Sequence, residues 1–234
     1  MILTLLTVAS SSASEQKPYQ QVALKVRTIY LDPWFGGEEK GPLIAPKQYA
    51  KDITLKIAKE LKPSLETEGF IVHLSRDKDH FVSLDDRGIG AKMKSADIHV
   101  GIRMSQAKKE CIKVNIVKPQ QKKRELKSND INKQLANILD DLMEDAAREE
   151  SRVLGGILKK EFKNSKLITC AELVYEDDWL LRYVEMPAVT IDIGVSTGSS
   201  KKASVIERSG RDNVVRCITT AVKAYTELRA PKVQ

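Results

Sequence analysis

Three histidines, three cysteines, a glycine-flanked acidic loop and a strand-borne aspartate are the groups in this chain from which chemistry could be built. The histidines come first, because a catalytic metal needs about three ligands and an open position for water. They do not converge. His99 precedes Arg103 by four residues on one strand, about 13 Å at 3.3 Å per residue; His73 lies on another strand and His80 in a loop. All three read as structural or solvent-exposed. Cys111, Cys170 and Cys217 are far apart and form no C-x-x-C. That argues against a zinc ribbon, a thioredoxin-like site and a dense disulfide framework. At most one bridge can form, and three buried free thiols are expected. Ser105 follows Arg103 closely, but no histidine is placed to act as its base. Glu38 and Glu39, beside Gly36-Gly37, could hold a hard cation weakly. Asp192 lies within the apolar run Val189 to Ile193, and Asp32-Pro33-Trp34-Phe35-Gly36-Gly37 directly follows Thr28 to Leu31.

The elements that must position these groups alternate in type. Strands are expected at 28–31, 70–74, 96–104, 111–117 and 189–193, each an apolar run bounded by turn residues. Between them, Ile53, Ile57, Leu61 and Leu65 recur at i+4 steps and predict a helix over 49–67, kinked or ended early by Pro63. Ser83 is placed to cap a helix over 84–94. Ile131, Leu135, Ile138, Leu142 and Ala146 predict a helix over 129–147 with an acidic outer face. A separate helix follows over 148–162, and a last one covers 212–228. The implied fold class is α/β: a mixed, mainly parallel twisted sheet with helices on both faces and an inserted helix.

The chain has 234 residues, 41% of them hydrophobic, enough for one α/β domain with a packed core. Its formal charge of +7 is local, since residues 101–128 carry nine Lys/Arg against Glu110 and Glu125. Such a patch points to an anionic surface. The same stretch contains no aromatic residue, which argues against nucleic acid as a partner. Residues 1–13, MILTLLTVASSSA, read as the remnant of an export signal, with 14–26 as a linker or edge strand. No run reaches the roughly 18 apolar residues needed to span a bilayer.

Five motifs in order resemble those of the zinc-dependent N-acetylmuramoyl-L-alanine amidases. Asp32-Pro33-Trp34-Phe35-Gly36-Gly37 is similar to D-P-G-H-G-G, and Ala50-Lys51-Asp52-Ile53-Thr54-Leu55 to E-K-D-x-N-L. Phe81 to Arg87 resembles F-V-S-L-x-x-R. Ala96 to Ser105 resembles A-D-x-x-x-S-I-H-A-N, and Met186 to Gly194 the P-A-x-L-V-E-x-G strand. The resemblance implies an amidase-like domain over 27–230, with a basic loop and helix inserted at about 118–147. It further resembles the cell-separation amidases, in which such a helix blocks the zinc site until an activator moves it.

The resemblance also implies that three metal ligands have been replaced, by Phe35, Ala50 and Arg103. None of these can bind zinc, and a guanidinium repels a dication. The catalytic glutamate corresponds to Asp192, one methylene shorter, and misplacement of about 1 Å can cost ~10²-fold in rate. The expectation is therefore a protein without zinc, in which Arg103 takes the place of the ion and pairs with Asp192. Trp34, Phe35, Ser105, Arg103 and Asp192 would line a remodelled binding pocket. The function implied is a non-catalytic amidase-like protein of the bacterial envelope or periplasm, exported, that binds peptidoglycan or a protein partner. The alternative is an active amidase with an atypical site.

Overall fold

The computed structural model describes residues 26–118, 131–168, 170–196 and 204–230. The expected export signal, most of the expected linker and most of the basic loop after Lys118 lie outside the described residues. Six strands form one sheet in the order β4-β1-β5-β8-β6-β7. They are β1 (Thr28–Pro33), β4 (Ile71–Leu74), β5 (Ile98–Gln106), β6 (Cys111–Val117), β7 (Ala171–Glu176) and β8 (Ala188–Val195). β4, β1, β5 and β8 run parallel; β6 is antiparallel to β8, and β7 parallel to β6. A small hairpin of β2 (Leu43–Ala45) and β3 (Gln48–Tyr49) lies between β1 and the first helix.

Alternation splits the sheet into two unlike faces. One carries Ile29, Leu31, Val100, Ile102, Ile191, Ile193, Val114 and Ile116, all buried. Against it pack α1 (Ala50–Thr67), the second half of α3 (Ile131–Asn164) and α5 (Arg208–Arg229), through Ile57, Leu61, Leu158, Phe162 and Ile218. The other face is polar. It is partly covered by α2 (Leu84–Met93), whose Ala91 packs with Tyr30, and by α4 (Trp179–Tyr183), whose Leu180 and Leu181 pack with Val117 and Ala188. This is the mixed, mainly parallel, two-sided architecture expected from the sequence. Ser83 caps α2 as expected, its hydroxyl accepting from the Asp86 amide at 3.1 Å.

Four local expectations need correction. Pro63 does not end α1 early, since the helix runs on to Thr67; it sits on the exposed side, where the carbonyl freed by its missing N–H can turn to water. The two helices expected over 129–162 are one. No glycine or proline falls near position 148, and Arg148 bridges back to Glu144 (2.8 Å) and Asp145 (3.0 Å), tying the two halves together. The apolar stripe of the first half is exposed, Leu135 by 54% and Leu142 by 61%. The expectation of three free thiols fails for two: Cys111 and Cys170 form a disulfide, and Cys217 alone is free and buried. The bridge staples β6 to the start of the edge strand β7; neither β7 nor α4 (Trp179–Tyr183) was expected from short-range patterning.

Candidate functional site

The polar face of the sheet presents two rows of side chains in register. Asp32, Gly101, Thr190 and Asn115 stand side by side across β1, β5, β8 and β6. Two residues further along, Arg103 of β5 pairs in register with Asp192 of β8, and Asp192 with Lys113 of β6. Register thus places Arg103 beside Asp192, and their side chains meet. Arg103 Nη2 donates to Asp192 Oδ2 at 3.2 Å and to Glu176 Oε2 at 3.2 Å. Burial alone would lower the Arg103 pKa, yet the carboxylates of Asp192 and Glu176 outweigh it and hold the guanidinium above its ordinary value. Asp192 is 6% exposed, and its other oxygen, Oδ1, has no protein partner.

The loop after β1 is pinned from beneath by two buried arginines. Arg76 donates to the carbonyls of Pro33 (2.9 Å), Trp34 (3.2 Å) and Lys51 (2.8 Å). Arg87 is ion-paired with the fully buried Asp32, and also donates to the Pro33 carbonyl at 3.2 Å and the Phe35 carbonyl at 3.3 Å. Ser75 donates to the same carboxylate at 2.6 Å. So fixed, the loop takes Phe35 into the left-handed region at φ 68° and turns its ring inward. A β-carbon on Gly41 would lie 2.7 Å from the Phe35 ring and 2.9 Å from Ala50 Cβ; Phe35 and Ala50 therefore converge over Gly41.

Trp34 links this corner to the ion pair. Its ring meets Phe35 edge-on at 6.4 Å between centroids, and the Arg103 guanidinium carbon lies 5.3 Å from its centre. A β-carbon on Gly101 would come within 3.1 Å of Trp34 Nε1 and 2.9 Å of Thr190 Oγ1, so the indole roofs the glycine. Both polar atoms are enclosed without a protein partner, as are the amide atoms of Asn115. Groups of this kind are normally satisfied by ordered water.

Trp34, Phe35, Ala50, Arg103 and Asp192 thus form one continuous cluster. Ser105 lies one alternation beyond Arg103, opposite Gly194, half-buried. The histidines take other roles. His99 is fully buried, stacked on Tyr30 at 5.9 Å and 3.8 Å from Asp32. Burial pushes its pKa down. His73 sits on β4, and His80 beside Gly36. Glu38 and Glu39 are exposed on the turn. Among the described residues the one group of three ligating side chains is Cys111, Cys170 and Glu172, whose two sulfurs are already bonded to each other. Glu176 was missed by sequence reasoning, because it belongs to no motif and lies on the unassigned edge strand.

As a donor set, the cluster does not fit a zinc ion. Phe35 and Ala50 offer only carbon, and Arg103 offers a fixed positive charge already shared by two carboxylates.

The profile of a family described as N-acetylmuramoyl-L-alanine amidase (Amidase_3) matches residues 29–224. The chain is 27% identical over 204 residues to a probable cell wall amidase, LytH, of Staphylococcus saprophyticus, covering 86% of this chain and 59% of that protein. It is 25% identical over 224 residues to LytH of Staphylococcus aureus, covering 95% and 64%. It therefore spans about three fifths of the length of these curated relatives. Among solved structures, an N-acetylmuramoyl-L-alanine amidase of Clostridium difficile 630 superposes with TM-score 0.62 at 25% identity, over 87% of this chain and 98% of that one. AmiC2 of Nostoc punctiforme gives 0.65 at 19%, over 86% and 97%. The CwlD amidase of Clostridioides difficile, solved in complex with the GerS lipoprotein, gives 0.63 at 19%, over 86% and 99%.

Proposed function

The chain belongs to the N-acetylmuramoyl-L-alanine amidase family, and from that premise we propose that it is a non-catalytic member, a cell-wall-associated binding protein without zinc. The observation that carries this reading is the seat of Arg103. Its guanidinium is held by Asp192 and Glu176, at a position the family resemblance assigns to a metal ligand. Phe35 and Ala50, at the other two such positions, close over Gly41 without a donor atom. With no metal to lower the pKa of a water, no hydroxide is generated near neutral pH for Asp192 to serve, and one of its oxygens is engaged by Arg103. The fixed charge takes over the ion's electrostatic role toward the carboxylates.

The ligand in this reading is peptidoglycan or an envelope protein. The cell wall relatives support the first, and the amidase solved with a lipoprotein supports the second. The amidase-like unit spans 27–230. An exported, oxidising location agrees with the Cys111–Cys170 disulfide, since such bridges persist outside reducing compartments. Among the described residues no helix is long and apolar enough to cross a membrane.

The test has two arms. The purified chain is dialysed against zinc and its metal content measured, and dye release is followed from labelled peptidoglycan sacculi. The reading expects far less than one zinc per chain and no release above buffer. Stoichiometric zinc overturns the zinc-free reading, and release abolished by a chelator establishes the active amidase instead.

A further inference from the structure

Trp179 and Tyr183 on α4 are 41% and 45% exposed, although both are large aromatic residues. They are nonetheless held in place. The two rings stack at 4.8 Å between centroids and 13° between planes. Tyr183 leans on Gly88 of α2, where a β-carbon would come within 2.5 Å of its ring. Leu180 and Leu181, on the buried side of the same helix, anchor α4 to Val117 and Ala188. Asp178 accepts from the Leu180 amide at 2.8 Å and caps the helix. Residues next to the rings in sequence form two ion pairs: Asp177 with Arg182 at 2.9 Å, and Glu185 with Lys92 at 2.9 Å.

We propose that this stacked aromatic pair is a sugar-binding platform that takes a pyranose ring of the peptidoglycan glycan. A pyranose presents C–H groups on its flat face and hydroxyls at its rim. The first suit an aromatic face, and the second suit the charged side chains beside it. Three observations select this occupant. The rings are ordered before binding, so little side-chain entropy is lost when a ligand docks. The two ion pairs cancel in charge, which suits a neutral polyol and disfavours a polyanion. The patch is two rings on a five-residue helix, far below the ~800 Å² per partner of a stable protein interface. Its place fits as well. α4 begins three residues after Glu176, which holds Arg103, so a bound glycan lies beside the closed cluster without entering it.

The proposal rests on the cell-wall reading for the identity of the glycan, and the experiment separates the two. The full chain is co-sedimented with purified sacculi and titrated with chitotetraose, a peptide-free sugar, following tryptophan fluorescence. Only Trp34 and Trp179 report, and Trp179 is the more exposed. W179A is expected to weaken both interactions about tenfold, with W179F intermediate and the melting temperature of each variant confirming that it folds. Equal sacculus binding by the wild type and W179A overturns the platform and leaves the cell-wall reading intact. Sacculus binding that needs Trp179 while chitotetraose does not bind also overturns it, since the occupant is then not the sugar. Wild-type protein that binds chitotetraose through Trp179 but ignores sacculi supports the platform and removes the cell wall as its ligand. Wild-type protein that binds neither overturns the platform and its cell-wall ligand alike.

Discussion

Replacing Arg103 with alanine strands the Asp192 carboxylate. That side chain is 9% exposed; its Oδ1 already lacks a protein partner, and its Oδ2 would lose the one it has. Glu176 would lose the same partner, but at 33% exposure it can rehydrate. Removing one member of a fully buried pair costs about 3–5 kcal/mol, and of an exposed pair about 0–1 kcal/mol. Arg103, at 21% side-chain exposure, and Asp192 lie nearer the buried limit. The loss of the guanidinium over Trp34 adds a smaller amount. The expected cost is about 2–4 kcal/mol, a fall in melting temperature of about 5–15 °C for a chain of this size. Calorimetry at neutral pH with a chelator present measures it without metal effects. The second variant is decisive. Arg103→Ala with Asp192→Ala removes the stranded charge and should recover most of the loss, with a coupling of about 1–3 kcal/mol in the double-mutant cycle. If Arg103→Ala melts within about 1 °C of the wild type, or the double variant is no better than the single one, the guanidinium is not compensating a buried carboxylate.

Three further outcomes follow from the same geometry. Restoring donors with Phe35→His, Ala50→Glu and Arg103→His, together with Trp34→Gly to clear the roof, should give about one zinc per chain by elemental analysis; a folded variant that takes up none means that the three positions do not share one ion. Reducing the Cys111–Cys170 bridge, or changing both cysteines to serine, should cost about 2–4 kcal/mol, read as a lower melting temperature in dithiothreitol. An unchanged melt would show that the edge strand needs no staple. Burial holds His99 below the ordinary histidine pKa of about 6.5, so it stays neutral in the fold when the unfolded chain is already binding a proton. Stability should therefore fall as the pH drops below about 6.5, and His99→Gln should flatten that slope in urea titrations.

The sequence alone determined the parts that depend on residue type and order. Alternating strands and amphipathic helices specify the layered fold, because a face of apolar side chains must be buried whichever partner covers it. The serine cap of α2 is equally local, since the hydroxyl and the amide it accepts from are three residues apart. That Phe35, Ala50 and Arg103 cannot ligate zinc is a property of their atoms and needs no coordinates. Only the tertiary structure decided who meets whom. Cys111 and Cys170 are separated by 59 residues and bond because β6 and β7 are neighbours. Glu176 reaches Arg103 across 73 residues from an edge strand with no sequence signature, and turns an expected pair into a triad. Trp34 could be called a loop residue from its neighbours, yet its place over Gly101 follows from strand pairing between β1 and β5. The reason is one of range: helix caps and alternation are set by contacts within a few residues, whereas partners across a sheet are set by the pairing of strands that the chain brings together only on folding.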